Sequence, residues 1–257
     1  MLGYFKQLDQ LLRGERTRTD ALSTGNFDLR LRTFVPLAIA LGCAYGFFMG
    51  WYAMAQHWGG GAVVDSGPAH APSGGWMQLV ACVVKLPALF LLTLLVTFPS
   101  LYVFNALVGT RLSFAAVLRL LVAAIVVNLS VAASLGTILA FFTLSTTSYH
   151  FMVLLNVILL AISGCVGLGF LLQTLKRLSP TGITVPLNDE EASAPPASAA
   201  NTIFYVWIFI YSLVGMQMGW LLRPFIGKPD APFEWFRTRQ GNFFQGLFDN
   251  IQRMIGS

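Results

Sequence analysis

Two charged side chains lie well inside long apolar stretches of this 257-residue chain, Lys85 and Arg119. An ionisable group at that depth is by default a functional candidate, on a solute path or at a buried pair. Each also sits near the end of its stretch, so snorkelling to the surface is the competing explanation. Asn105, Asn128 and Asn156 add uncharged polarity, and the last two lie near mid-stretch, where amides can hydrogen-bond between helices. With Lys85, these asparagines are the candidates for a polar path. His57, His70 and His150, with Asp65, offer imidazole and carboxylate ligands toward one side. Their spacing matches no metal template, so no metal centre is expected. No Ser-His-Asp set, nucleotide loop or carboxylate pair is visible, so neither a catalytic residue nor a cofactor is expected.

The densest cluster of chemistry follows the last apolar stretch. It reads Trp220-Leu221-Leu222-Arg223-Pro224-Phe225-Ile226-Gly227, then Trp235-Phe236-Arg237. Pro224 stops a helix, which leaves carbonyls in the last turn without their usual donors. Arg223 can cover those carbonyls or bind a lipid phosphate. Aromatic and basic residues together suit the headgroup level of a bilayer, so a plain interfacial anchor is the alternative. Trp220, Arg223, Pro224, Phe225, Trp235 and Arg237 are therefore the candidates for contact with lipid or a partner.

These residues are positioned by five apolar stretches, roughly 34–57, 77–107, 114–144, 149–175 and 203–222, none containing Asp or Glu. Each meets the length of about 20 residues that a helix needs to cross a bilayer. The whole chain is 56 % hydrophobic and 11 % charged, against about 25 % charged in soluble domains. A soluble core of this size could not hide that surface. The missing carboxylates argue against a proton- or cation-coupled pump. Cys43, Cys82 and Cys165 all lie inside the stretches and suit small core positions better than disulfides.

The expected fold is all-α, a bundle of five transmembrane helices with amphipathic interfacial helices at both ends. Residues 1–33 form an N-terminal segment, with Leu2, Phe5, Leu8, Leu11 and Leu12 at helical spacing. Spans one to four occupy 34–178. Residues 179–201 are rich in Pro, Ala and Ser and make a flexible linker. Span five covers 202–223, and 224–257 hold a turn and a second amphipathic helix from Asn242 to Ile255. Pro87 and Pro99 are expected to kink span two. Short turns at Val108–Arg111 and Ser145–Ser148 predict that spans two, three and four are antiparallel neighbours.

Gly42, Gly46 and Gly50 recur four apart on one face of span one, and Gly215 and Gly219 repeat the device in span five. Such faces let a neighbouring helix backbone approach closely, within the chain or between subunits. With the N-terminus inside, ten Lys and Arg residues fall on the inner side and six on the outer. That bias predicts a cytoplasmic N-terminus and a periplasmic C-terminus, with the basic tail as the dissenting feature. The net charge of +5 points to contact with anionic lipid, and nucleic acid is not an expected partner.

Leu11-Leu12-Arg13-Gly14-Glu15, Phe98-Pro99-Ser100-Leu101-Tyr102-Val103-Phe104-Asn105 with Gly109, and Trp220–Gly227 together resemble a family of bacterial multi-pass inner-membrane proteins. The resemblance covers most of the chain and implies a bacterial inner membrane. It implies no activity, because that family has no established function. The expected role is a non-enzymatic subunit or scaffold of a larger membrane assembly, binding lipid and partner helices or a second copy. A small-solute transporter or channel is the alternative, and a lipid-handling membrane enzyme the second alternative.

Overall fold

A computed structural model describes residues 9, 31–58, 74–107, 114–178, 197–223, 225–227, 233–236 and 241–255. The described residues are helices and connections, with no strand. Six helices follow in order: α1 (Leu31–Trp58), α2 (Gly74–Leu107), α3 (Phe114–Ser145), α4 (Tyr149–Leu178), α5 (Ala197–Leu221) and α6 (Phe243–Ile255). Four have long apolar stretches of membrane-crossing length, Leu31–Ala55, Gly75–Ser100, Val117–Ser145 and Tyr149–Thr174. The apolar stretch of α5 is shorter, Tyr205–Leu221. The four long stretches are compatible with a multi-pass membrane protein. The expected N-terminal amphipathic helix lies outside the described residues except for Asp9, which is helical and exposed. The second amphipathic helix is present as α6.

Many hydroxyl groups within the apolar helices are satisfied by their own helix. Thr93, Thr97, Ser130, Thr143, Thr174 and Ser212 each donate a hydroxyl hydrogen bond to a carbonyl three or four residues back. These hydroxyls are spent on their own helices and are not set out along a polar path. α2 runs as one helix through both Pro87 and Pro99.

The glycine face of α1 decides the centre of the bundle. A Cβ on Gly46 would lie 2.6 Å from the Cys82 carbonyl oxygen, and one on Gly50 would lie 2.6 Å from the Leu79 Cα. One on Gly42 would come within 3.2 Å of the Pro87 Cα. The partner numbers fall as the α1 numbers rise, so the two helices are antiparallel with their backbones almost touching. The other side of α1 packs on α3, where the Phe48 ring fills the space beside Gly136. α1 therefore separates α2 from α3, which touch only sparsely. This corrects the expectation that spans two, three and four follow one another as neighbours. A short connection brings two helix ends together, but three small residues per face let α1 claim the closest approach to α2.

α4 packs on α3, with Gly167 against Asn128 and Ala124. Ser148 caps α4 by accepting from the Phe151 amide at 3.5 Å. α5 also packs on α2, again antiparallel. There the Trp207 indole donates to the Thr97 carbonyl at 3.4 Å, and Gly215 and Gly219 face Thr93 and Leu89. α6 crosses one end of the bundle and meets α4 and α5. That end also gathers the C-terminus of α1 and the N-terminus of α4, where Tyr52 donates to the Thr147 carbonyl at 2.8 Å.

Candidate functional site

α4 and α5 each lean on a different neighbour, α3 and α2, and a cavity of about 1460 Å³ remains among α2, α3, α4 and α5. That exceeds the ~300–1,000 Å³ of ordinary small-ligand pockets. Its middle is mostly apolar, with Leu86, Leu121, Ile125, Val153, Leu168 and Leu171 among the walls. Ala161 and Cys165 on α4 and Ser212 on α5 line it and are exposed, so the cavity opens sideways between these helices. Small residues make the space: a Cβ added to Gly164 would meet no atom within 4 Å.

Two predicted polar residues meet here. Asn128 and Asn156 both line the cavity. The buried Tyr45 hydroxyl donates to Asn156 Oδ1 at 2.8 Å, which ties α1 to α4 across the core. Asn128 Oδ1 is buried and accepts no hydrogen bond among the described residues. Lys85 and Arg119 stand elsewhere, near opposite ends of the bundle. Lys85 is only 3 % exposed and does not snorkel to the surface. It donates to the Trp235 carbonyl and lies over the rings of Phe236 at 5.1 Å and Trp235 at 5.9 Å. Arg119 is half-buried near the start of α3. The side chain of Asn105 lies outside the described residues, as do Pro224 and Arg237.

The turn after α5 forms the polar end of the cavity. Leu222 closes the last helical bond to Met218 at 3.0 Å, and the chain then leaves the helix. The Phe225 carbonyl accepts from Gln78 Nε2 at 3.0 Å and from the Cys82 thiol. Gln78, Cys82 and Lys85 occupy one face of α2 and hold the returning chain at two points, Phe225 and Trp235. Gly227 fits against Gln78 and Ala53, where a Cβ would lie 2.9 and 3.0 Å away. Gln78 was not singled out from the sequence, and Cys82 was read there only as a small core residue. Nothing local marks them, because their acceptor lies more than 140 positions further along the chain.

Trp220 is the pin of this region. The Arg223 guanidinium stacks on its ring at 3.6 Å, and its indole donates to the Gly241 carbonyl at 3.0 Å. α6 reaches the ring through Gly246, where any Cβ would run into it. Gly241 has a φ of 75°, which suits glycine. Asn242 and Gln245 then cap α6 reciprocally: Asn242 Oδ1 accepts from the Gln245 amide at 3.0 Å, and Gln245 Oε1 from the Asn242 amide at 3.1 Å. At its far side α6 is tied to α4 by Asn250, which donates to the His150 carbonyl at 3.0 Å. Trp220, Arg223, Phe225, His150, Asp249 and Arg253 thus line one end of the cavity.

His150 is the one histidine whose surroundings are described, and no group of three metal-ligating side chains occurs among the described residues. The cysteines are free, and Cys165 is exposed on α4, which corrects its expected place in the core; Cys82 is buried and Cys43 half-buried. Ile158, Ile162 and Val166 are exposed with Cys165, so this face of α4 is uncovered among the described residues. The chain matches no family model, no curated protein and no solved structure, so its site stands on geometry alone.

Proposed function

We propose that this chain is an inner-membrane protein of five spans that takes a lipid into the cavity between α4 and α5. In this reading α5 is the fifth span, the N-terminus is cytoplasmic and the C-terminal α6 lies in the outer interface. The protein binds the lipid without converting it. The observation that carries the reading is the 1460 Å³ cavity, mostly apolar along its length, charged at one end and open at the depth of the apolar helices. A solute that enters from water would need polar walls, and the lining away from the α5–α6 end is mostly apolar.

The test uses purified full-length protein in a mild detergent, examined by native mass spectrometry before and after delipidation. Stoichiometric lipid, restored on adding lipid back, is the expected result. Delipidated protein that takes up none would overturn the reading. A Cβ at Gly164 meets no atom within 4 Å, so Gly164→Phe starts into open cavity and is expected to fold and to lose most of the bound lipid.

A second reading places the chain as a subunit or scaffold in a larger assembly, or as a homo-oligomer. It rests on α4, of which only 28 % of the apolar window is buried, against 44–56 % for the other three long helices. Ile158, Ile162 and Val166 are exposed there. Co-purification of a stoichiometric partner supports it, and a clean monomer in mild detergent counts against it.

A further inference from the structure

The charged residues that line the cavity are not spread along it. Arg223, Asp249 and Arg253 all belong to the α5–α6 end, with His150 beside them. The other polar lining side chains from the middle of α2, α3 and α4, such as Thr93, Asn128 and Asn156, are uncharged. The cavity is therefore amphipathic along its axis, and among the described residues its charged end carries two guanidinium groups against one carboxylate. Exposed Trp76, Trp235 and Phe236 belong to the same end of the bundle, and such aromatic side chains concentrate at headgroup depth.

Arg223 is held in place at this end by its ring contact. Its guanidinium face is used in stacking on Trp220 at 3.6 Å. The donors of a guanidinium lie in its plane, where they meet an oxyanion in a two-pronged fork. Trp220 is itself fixed by Gly241 and by the close approach of Gly246. Arg253 stands in the last turn of α6, exposed and on the cavity rim. Among the described residues Lys85 also stands near this end, and it donates to the Trp235 carbonyl. We propose that the bound lipid is an anionic phospholipid, its phosphate held by Arg223 and Arg253 and its chains running between α4 and α5 toward Asn128. This inference rests on the cavity reading and adds the headgroup class to it.

The experiment titrates delipidated full-length protein with phosphatidylglycerol, phosphatidylcholine and diacylglycerol, and reads occupancy by native mass spectrometry. Phosphatidylglycerol is expected to bind about tenfold more tightly than the other two, the scale of one charge-assisted contact. Arg223→Gln and Arg253→Gln are each expected to remove most of that preference. Arg32→Gln, exposed at the opposite end of the bundle, keeps it. Arg253 is exposed and makes no hydrogen bond or ion pair among the described residues, so its variant remains informative if Arg223→Gln disturbs the Trp220 stack. Equal binding of all three lipids, or a preference that survives Arg253→Gln, overturns the headgroup inference and leaves the cavity reading standing. Failure of every lipid to bind overturns the cavity reading itself. Displacement of phosphatidylglycerol by millimolar inorganic phosphate would assign the arginines to free phosphate and overturn the lipid assignment.

Discussion

The α1–α2 contact and the α4–α5 gap lie on either side of the same core and use small residues in opposite ways. On α1, Gly42, Gly46 and Gly50 are met by the backbone of α2, so their missing side chains become contact. On α4, Gly164 is met by nothing, so its missing side chain becomes space. A stripe of small residues therefore marks neither packing nor a cavity until the neighbouring helix is known. In this molecule one flank is closed and holds the bundle together, and the other is open and holds the candidate site.

The largest effect is expected from closing in on the tight flank. Gly46→Ala puts a methyl against the Cys82 carbonyl, where only backbone movement makes room. Overpacking of that kind costs about 1–3 kcal/mol, more than the ~1 kcal/mol that alanine regains in helix propensity. A lower thermal midpoint in detergent would show it, and an unchanged midpoint would dissolve the contrast between the flanks. Gly246→Ala should act next, by driving a methyl into the Trp220 ring. It is expected to lift α6 and release bound lipid while costing the bundle about 1 kcal/mol; tryptophan fluorescence and lipid occupancy read the two separately.

Tyr45→Phe removes the hydrogen bond to Asn156 that ties α1 to the cavity wall. Interhelical hydrogen bonds in membranes average about 0.6 kcal/mol, with a maximum near ~1.7, so this variant should fall below Gly46→Ala in cost. A larger loss would mean that the polar tie, and not the glycine face, organises the core. The smallest effect is expected at Gly215, where a Cβ would sit 3.6 Å from Thr93 in ordinary contact. Gly215→Ala should change stability by less than about 0.5 kcal/mol. A loss as large as that of Gly46→Ala would show that α5 is packed on α2 as closely as α1 is.

Much of this arrangement was legible beforehand in particular residues. Phe243, Phe244, Leu247, Ile251, Met254 and Ile255 recur at helical spacing; four of them form the half-buried stripe of α6, while Phe244 and Ile255 are exposed. The turn at Ser145–Ser148 was visible as a polar break between two apolar runs. The Trp220–Gly227 cluster was visible because aromatic, basic and helix-breaking residues crowd together there. Snorkelling was the competing explanation for Lys85, and the structure instead folds Trp235 and Phe236 back over it. That outcome was not legible, since the returning chain reaches Lys85 from 150 positions away. Arg253 entered the sequence reading only as one charge in a topology count, because its place on the cavity rim depends on how α6 crosses the bundle.

The sequence by itself determined where the helices lie, because helix formation in apolar stretches depends on neighbours within a turn or two and on the length of each run. It also determined which helix faces are small and which ends are aromatic and basic. Only the tertiary structure decided that α1 stands between α2 and α3, that Gly164 borders empty space, and that α6 closes one end against Trp220. Those outcomes follow from which pairs of surfaces approach most closely, and the chain order of the helices does not encode that competition.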